Sequence, residues 1–171
     1  MKTERLREAT ALVTLEDQDR SRWDAAEIAE ANRVLAGALR RDEAGPYQLQ
    51  AAIAAGHANA ARPAATDWVQ IATLYERLLE VMPHPLVALN HAVAVGMATT
   101  PGEGLTLVDQ LVASGELTDY HLLHATRADL LRRLGRTAEA AAAYREALSR
   151  APADAERRRY LTRRLQETGS G

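Results

Sequence analysis

His121–Pro152 reads HLLHATRADLLRRLGRTAEAAAAYREALSRAP. Its apolar residues fall at helical spacing on both sides of Leu134-Gly135-Arg136-Thr137, which predicts two helices, about 119–134 and 137–151, joined by a tight turn. From Gly135 there are five residues to Ala140, four more to Tyr144, three to Ala147 and five to Pro152. Each residue type has a physical reason at its place. The glycine permits the turn, the alanines let two helices approach closely, the tyrosine fills the groove between them, and Pro152 opens the next unit. On the first helix, Ala128 and Leu131 supply the matching small and bulky positions.

Those are the spacings of a tetratricopeptide-like repeat. A weaker echo lies upstream, where Tyr75 precedes Pro83 by eight residues, as Tyr144 precedes Pro152. Units of 46–83, 84–117 and 118–152 follow, with a last helix at 153–167 to cap the stack. A single repeat cannot bury its own apolar face, so about three units with caps form a stable minimum. The expected fold is all-α: a tetratricopeptide-like helical repeat array of about three helix pairs, with an N-terminal helix and a C-terminal capping helix. We divide the chain into an N-terminal segment 1–23, a repeat domain 24–168 and a flexible tail 169–171.

The remaining helices follow from periodicity and punctuation. Asp24, with Glu27 three residues on, is a candidate capping box for a helix carrying Ile28, Ala31, Leu35 and Leu39. Gly45-Pro46 ends that region and starts a helix over 46–61. Asp67 caps a helix running to about Met82, with Trp68, Ile71, Tyr75, Leu78 and Met82 along one face. Pro83-His84-Pro85 stops it, and Leu86, Leu89, Val93 and Met97 stripe the next. Thr99–Gly104 is expected to be a turn before Leu105, and Gly115 to close the helix after it.

Composition agrees. Of 171 residues, 47% are hydrophobic, yet aromatics are only 4% and Phe is absent, so helix-forming Ala and Leu carry the apolar content. Cysteine is absent too, which removes disulfides, thiolate metal sites and a cysteine nucleophile and suits a cytoplasmic location. No apolar run approaches the roughly 20 residues needed to cross a bilayer. The net charge of −2 hides an asymmetry: residues 127–165 carry +6 and the rest −8. A basic end on an acidic body suits an acidic partner surface, or is simply a solvated Arg-rich helix.

Nothing in the sequence assembles a catalytic site, a cofactor cradle or a metal set, so no catalytic, cofactor or metal residue is assigned. His121 and His124 lie one helical turn apart without a clear third ligand or an HExxH pattern. Gly102-Glu103-Gly104 is read as a turn, not a phosphate cradle. Candidates for partner binding are Tyr47, Gln48 and Gln50 at one helix start, and Asn90 in an otherwise apolar stripe, where a buried amide would fix register or clamp a peptide backbone. His124 joins them, and with His57 and Asn90 could line a small-ligand pocket. The densest polar cluster is Asp17-Gln18-Asp19-Arg20-Ser21-Arg22-Trp23-Asp24. Its Asp17, Asp19, Arg20, Arg22 and Trp23 either cap and staple the first helix or dock a partner.

LEDQDRSRWD at 15–24, GPYQLQAAIAAGHA at 45–58, TDW at 66–68, LNHAVAV at 89–95 and the run from Tyr120 to Leu148 are the segments that carry a family resemblance. They resemble the C-terminal extension of one subgroup of extracytoplasmic-function RNA polymerase sigma factors, across roughly residues 12–166. The resemblance implies a regulatory module in transcription initiation, with the sigma core regions or RNA polymerase as protein partners. DNA would be met only through sigma regions that this chain lacks, and no membrane is implied. His91 departs from the pattern, standing where the family is expected to have Arg. The alternatives are a stand-alone adaptor that binds a peptide in its concave groove, and a small-ligand sensor.

Overall fold

The computed structural model describes residues 45–59 and 65–169. The expected helix from Asp24 and the segment 1–23 lie outside them. Among the described residues there are seven helices and no strand: α1 (Pro46–Asn59), α2 (Trp68–Val81), α3 (Pro85–Ala98), α4 (Pro101–Ser114), α5 (His121–Arg133), α6 (Thr137–Arg150) and α7 (Ala155–Gly169). Each packs on its neighbour in sequence, and α3 also touches α5. The fold is an all-α helical repeat array of three helix pairs closed by α7.

The helix ends follow local chemistry. Asp67 caps α2, its carboxylate accepting from the Gln70 amide at 3.0 Å. His84 caps α3 through Nδ1, which accepts from the Leu86 amide at 3.2 Å, and Pro85 occupies the first turn, where a missing N–H costs nothing. Asp154 serves α7, accepting from the Glu156 amide at 2.9 Å. At the end of α5 the Gly135 amide donates to the Arg132 carbonyl (3.0 Å) and the Arg136 amide to the Leu131 carbonyl (2.9 Å). That bond pair, with Gly135 at φ 73°, is a Schellman stop.

One boundary differs from the expectation. Thr99–Gly104 is not a turn, because α4 already begins at Pro101. Thr100 adopts an extended backbone and its hydroxyl accepts from the Glu103 amide at 3.3 Å, so the connection shrinks to two residues and both glycines fall within the helix. The reason is packing. A Cβ on Gly104 would stand 2.7 Å from Gly96 Cα and 2.8 Å from the Ala92 carbonyl oxygen. The glycine pair lets α3 and α4 cross almost backbone to backbone.

The core divides in two. Leu49, Ile53, Ile71, Leu74 and Leu78 join Val87 and Ala94 at the α1–α2–α3 end. Leu105, Val108, Leu123, Leu131 and Tyr144 join Leu89 and Ala92 at the other. Among the described helices only α3 contributes to both, as expected when units bury their faces against neighbours and not around one centre. Gly56, Ala92 and Ala128 recur at one fixed interval and mark the small seat on α1, α3 and α5. Ala92 and Ala128 are fully buried, and a Cβ on Gly56 would press on Ile71 at 3.1 Å.

Candidate functional site

Two clefts open along the odd-numbered helices. The first, ≈ 370 Å³, lies between α1, α2 and α3, with Gln50, His57 and Asn90 as its polar lining and Ile53, Leu78 and Val87 below. The second, ≈ 230 Å³, lies between α3, α5, α6 and α7 and is lined by Val93, Met97, Leu122 and Ala125, with Asp129 and Arg133 at its rim. Helix α3 gives Val87 and Asn90 to one cleft and Val93 and Met97 to the other. At about 100° per residue these four form a single stripe, so both clefts open on the same face of α3. The even-numbered helices supply one tyrosine to each: Tyr75 to the first and Tyr144 to the second. They are the two tyrosines that precede a proline by eight residues.

Burial sets the electrostatics of these rings. Tyr144 is 1% exposed, and desolvation raises the pKa of both tyrosines above the ordinary phenol value, so they sit as neutral side chains. Within the first cleft His57 stacks edge-on against Trp68, with ring centroids 5.3 Å apart. At the second, Asp129 meets Arg132 at 2.6 Å and Arg133 at 2.8 Å. Tyr160 lines the same cleft, with the Arg163 and Arg164 guanidiniums 5.7 and 5.3 Å from its ring. Glu167 answers both arginines, at 3.9 Å from Arg163 and 3.1 Å from Arg164.

The partner-binding candidates fare differently. Gln50 and Asn90, from different helices, come together in the first cleft, though both are exposed. Asn90 is therefore not a buried amide: it stands on the cleft side of α3 while Leu89 and Ala92 take the buried positions beside it. Tyr47, 84% exposed, and Gln48 stand at the start of α1 and line neither cleft. His124 stands apart from Gln50 and Asn90. It is buried on α5, and its Nε2 donates to the Thr118 carbonyl at 2.7 Å, pinning the preceding loop. It lines neither cleft, and so does not join His57 and Asn90 in the first. Asp17, Asp19, Arg20, Arg22 and Trp23 lie outside the described residues.

Sequence reading missed the rim of the second cleft. The excess of arginine over 127–165 was the available signal. It could not say that Arg133 lines one opening with Tyr160, the ring that Arg163 and Arg164 approach. Among the described residues no three His, Cys, Asp or Glu side chains gather where a metal would sit, and no helix is long and apolar enough to cross a membrane.

No protein-family model and no solved structure matches the chain. An uncharacterized protein of Rhizobium meliloti (strain 1021) is 46% identical over 140 residues, a stretch covering 81% of this chain and 32% of the relative. The chain thus spans about a third of the length of the curated relative it matches.

Proposed function

We propose that this chain is a protein-binding module that regulates transcription initiation, as the C-terminal extension of an extracytoplasmic-function sigma factor. The observation that carries its binding role is the placement of both clefts on one face of α3, floored by repeat tyrosines and open along the odd-numbered helices. One-sided concavity of this kind is how stacked helix pairs present a binding surface. The transcriptional context rests on the resemblance of LEDQDRSRWD and GPYQLQAAIAAGHA. A relative about three times as long as the matched stretch has room for the sigma regions that the reading requires. The module would dock on the sigma core or on polymerase and alter promoter engagement.

The test uses the full reading frame from which the chain comes. That frame should encode the regions that read the −10 and −35 elements, and a reporter driven by its promoter should lose output when Gln50 and Asn90 are both changed to alanine. A frame without those regions, or full output from the double variant, overturns the proposal. The isolated chain should give no sequence-specific footprint on promoter DNA. Its first 126 residues carry net negative charge, which repels phosphate.

The small-ligand reading is favoured by one observation. The first cleft, at ≈ 370 Å³, falls within the roughly 300–1,000 Å³ of small-molecule pockets. It predicts that a metabolite raises the melting temperature of this chain and that Asn90→Ala abolishes the shift.

A further inference from the structure

We infer that Met97 is a reversible oxidation site, where conversion of the thioether to a sulfoxide turns the floor of the second cleft from apolar to polar. What that change controls, the seating of a protein partner, rests on the protein-binding reading above.

The chain has no cysteine and three methionines, so thioethers are the only sulfur that an oxidant meets. The two described methionines have different surroundings. Met82 packs against the first core. Met97 is half-buried but lines the open second cleft, with Val93, Leu122 and Ala125. Oxidation requires the sulfur to meet the oxidant, so the cleft favours Met97. Its sulfur is also held in place. Arg133 donates from Nη1 to Met97 Sδ, while its Nε lies 2.8 Å from the Asp129 carboxylate. A methionine side chain is otherwise loosely specified, with three rotatable bonds. Here the bond from α5 to α3 fixes the thioether and engages one of its two lone pairs. The other is left for the oxidant, so oxygen adds on one side of the sulfur and gives one sulfoxide epimer in excess.

With hydrogen peroxide the step balances. The free sulfur lone pair attacks one peroxide oxygen and the O–O bond breaks. The proton on the transferred oxygen passes through water to the departing hydroxide, which leaves as water. Sulfur loses two electrons and peroxide gains them. A methionine sulfoxide reductase reverses the change with two thiols, which become a disulfide while the oxygen leaves as water. The sulfoxide oxygen is a hydrogen-bond acceptor set among Val93, Leu122 and Ala125. An apolar side chain seated there would have to strip water from it, which costs free energy that the thioether does not demand.

The experiment treats the full chain with hydrogen peroxide and locates the added oxygen by peptide mass spectrometry. Met97 should oxidise about tenfold faster than Met82. Of the two reductase classes, each specific for one epimer, one should remove most of the oxygen at Met97 and the other little. Arg133→Gln should bring the epimers towards equal yield, with unchanged circular dichroism. Equal rates at Met82 and Met97 overturn the inference, as do equal epimers in the parent chain or a bias that survives Arg133→Gln. The effect on the cleft is read with the reporter of the full reading frame. Peroxide should lower its output, Met97→Gln should imitate the polar sulfoxide and lower it without peroxide, and Met97→Leu should keep output and remove the response. Full output from Met97→Gln, where the Gln50 and Asn90 double variant loses output, overturns the inference and leaves the protein-binding reading in place. Full output from both variants overturns that reading, and the mass spectra then decide the oxidation site by themselves.

Discussion

Gly102 and Gly104 stand two residues apart in the first turn of α4, and a methyl group added to each meets different surroundings. On Gly104 it meets backbone atoms of Gly96 and Ala92 at 2.7 and 2.8 Å, which cannot rotate away. Gly104→Ala should cost about 1–3 kcal/mol, read from a urea melt. On Gly102 the nearest heavy atom is the Thr100 hydroxyl at 3.8 Å, an ordinary contact. Gly102→Ala should therefore stabilise, by roughly 0.5–1 kcal/mol, because alanine loses less backbone freedom on entering a helix. Equal losses at both sites would contradict the close crossing of α3 and α4. His121 offers a second residue-scale test. Burial, and then the nearby positive charge of Arg157, lower its pKa below the ordinary histidine value. Between that lowered pKa and about 6.5 the unfolded chain binds more protons than the folded one, so stability present above about pH 6.5 is lost as pH falls. Burial acts on His91 in the same direction, with Glu76 opposing it. The melting temperature should drop between about pH 7 and 5, and His121→Leu should flatten part of that slope.

At the scale of the element, the stop after α5 and the start of α2 are both local. Gly135 sits at φ 73°, and a Cβ there meets nothing within 4 Å, so its requirement is conformational and not steric. Gly135→Ala should cost about 1–2 kcal/mol through the left-handed backbone alone. Asp67→Ala removes the acceptor of the Gln70 amide and should cost about 1 kcal/mol. The two changes share no contact, so their losses should add in a double variant, within a few tenths of a kcal/mol. The Arg127–Asp109 bridge between α5 and α4, at 2.7 Å but partly exposed, should contribute no more than about 1 kcal/mol.

For the whole molecule, the divided core predicts graded failure. A chain cut after Gly115 keeps Leu49, Ile71, Leu78 and their neighbours packed, but exposes Leu89, Ala92, Leu105 and Val108, which lose Leu123 and Tyr144. It should keep a helical circular dichroism spectrum and melt well below the intact protein. A fragment as stable as the parent would mean that α5–α7 add nothing to the stack, against the burial seen across α5, α6 and α7. Complete loss of helix would mean that the array folds as one indivisible body.

Much of this architecture was legible because its rules are short-ranged. Gly135, Ala140, Tyr144 and Pro152 lie within one turn-and-helix unit, and Asp67 or Pro85 meets its helix within three residues, so spacing and capping chemistry determined helix type, order and most ends by themselves. Thr99–Gly104 misled because glycine is a breaker in isolation. Only the crossing of α3 over α4 made Gly104 a helical residue. Likewise the sequence placed Asn90 in an apolar stripe, but which side of α3 is buried depends on α2, α4 and α5 all packing around it. The bond of His124 to the Thr118 carbonyl needed the loop to fold back on α5. The clefts themselves are tertiary in origin. Gln50 and Asn90 line one cleft, and Arg133 and Tyr160 the other, only after helices far apart in the chain are stacked, and no periodicity within a single helix encodes such a meeting.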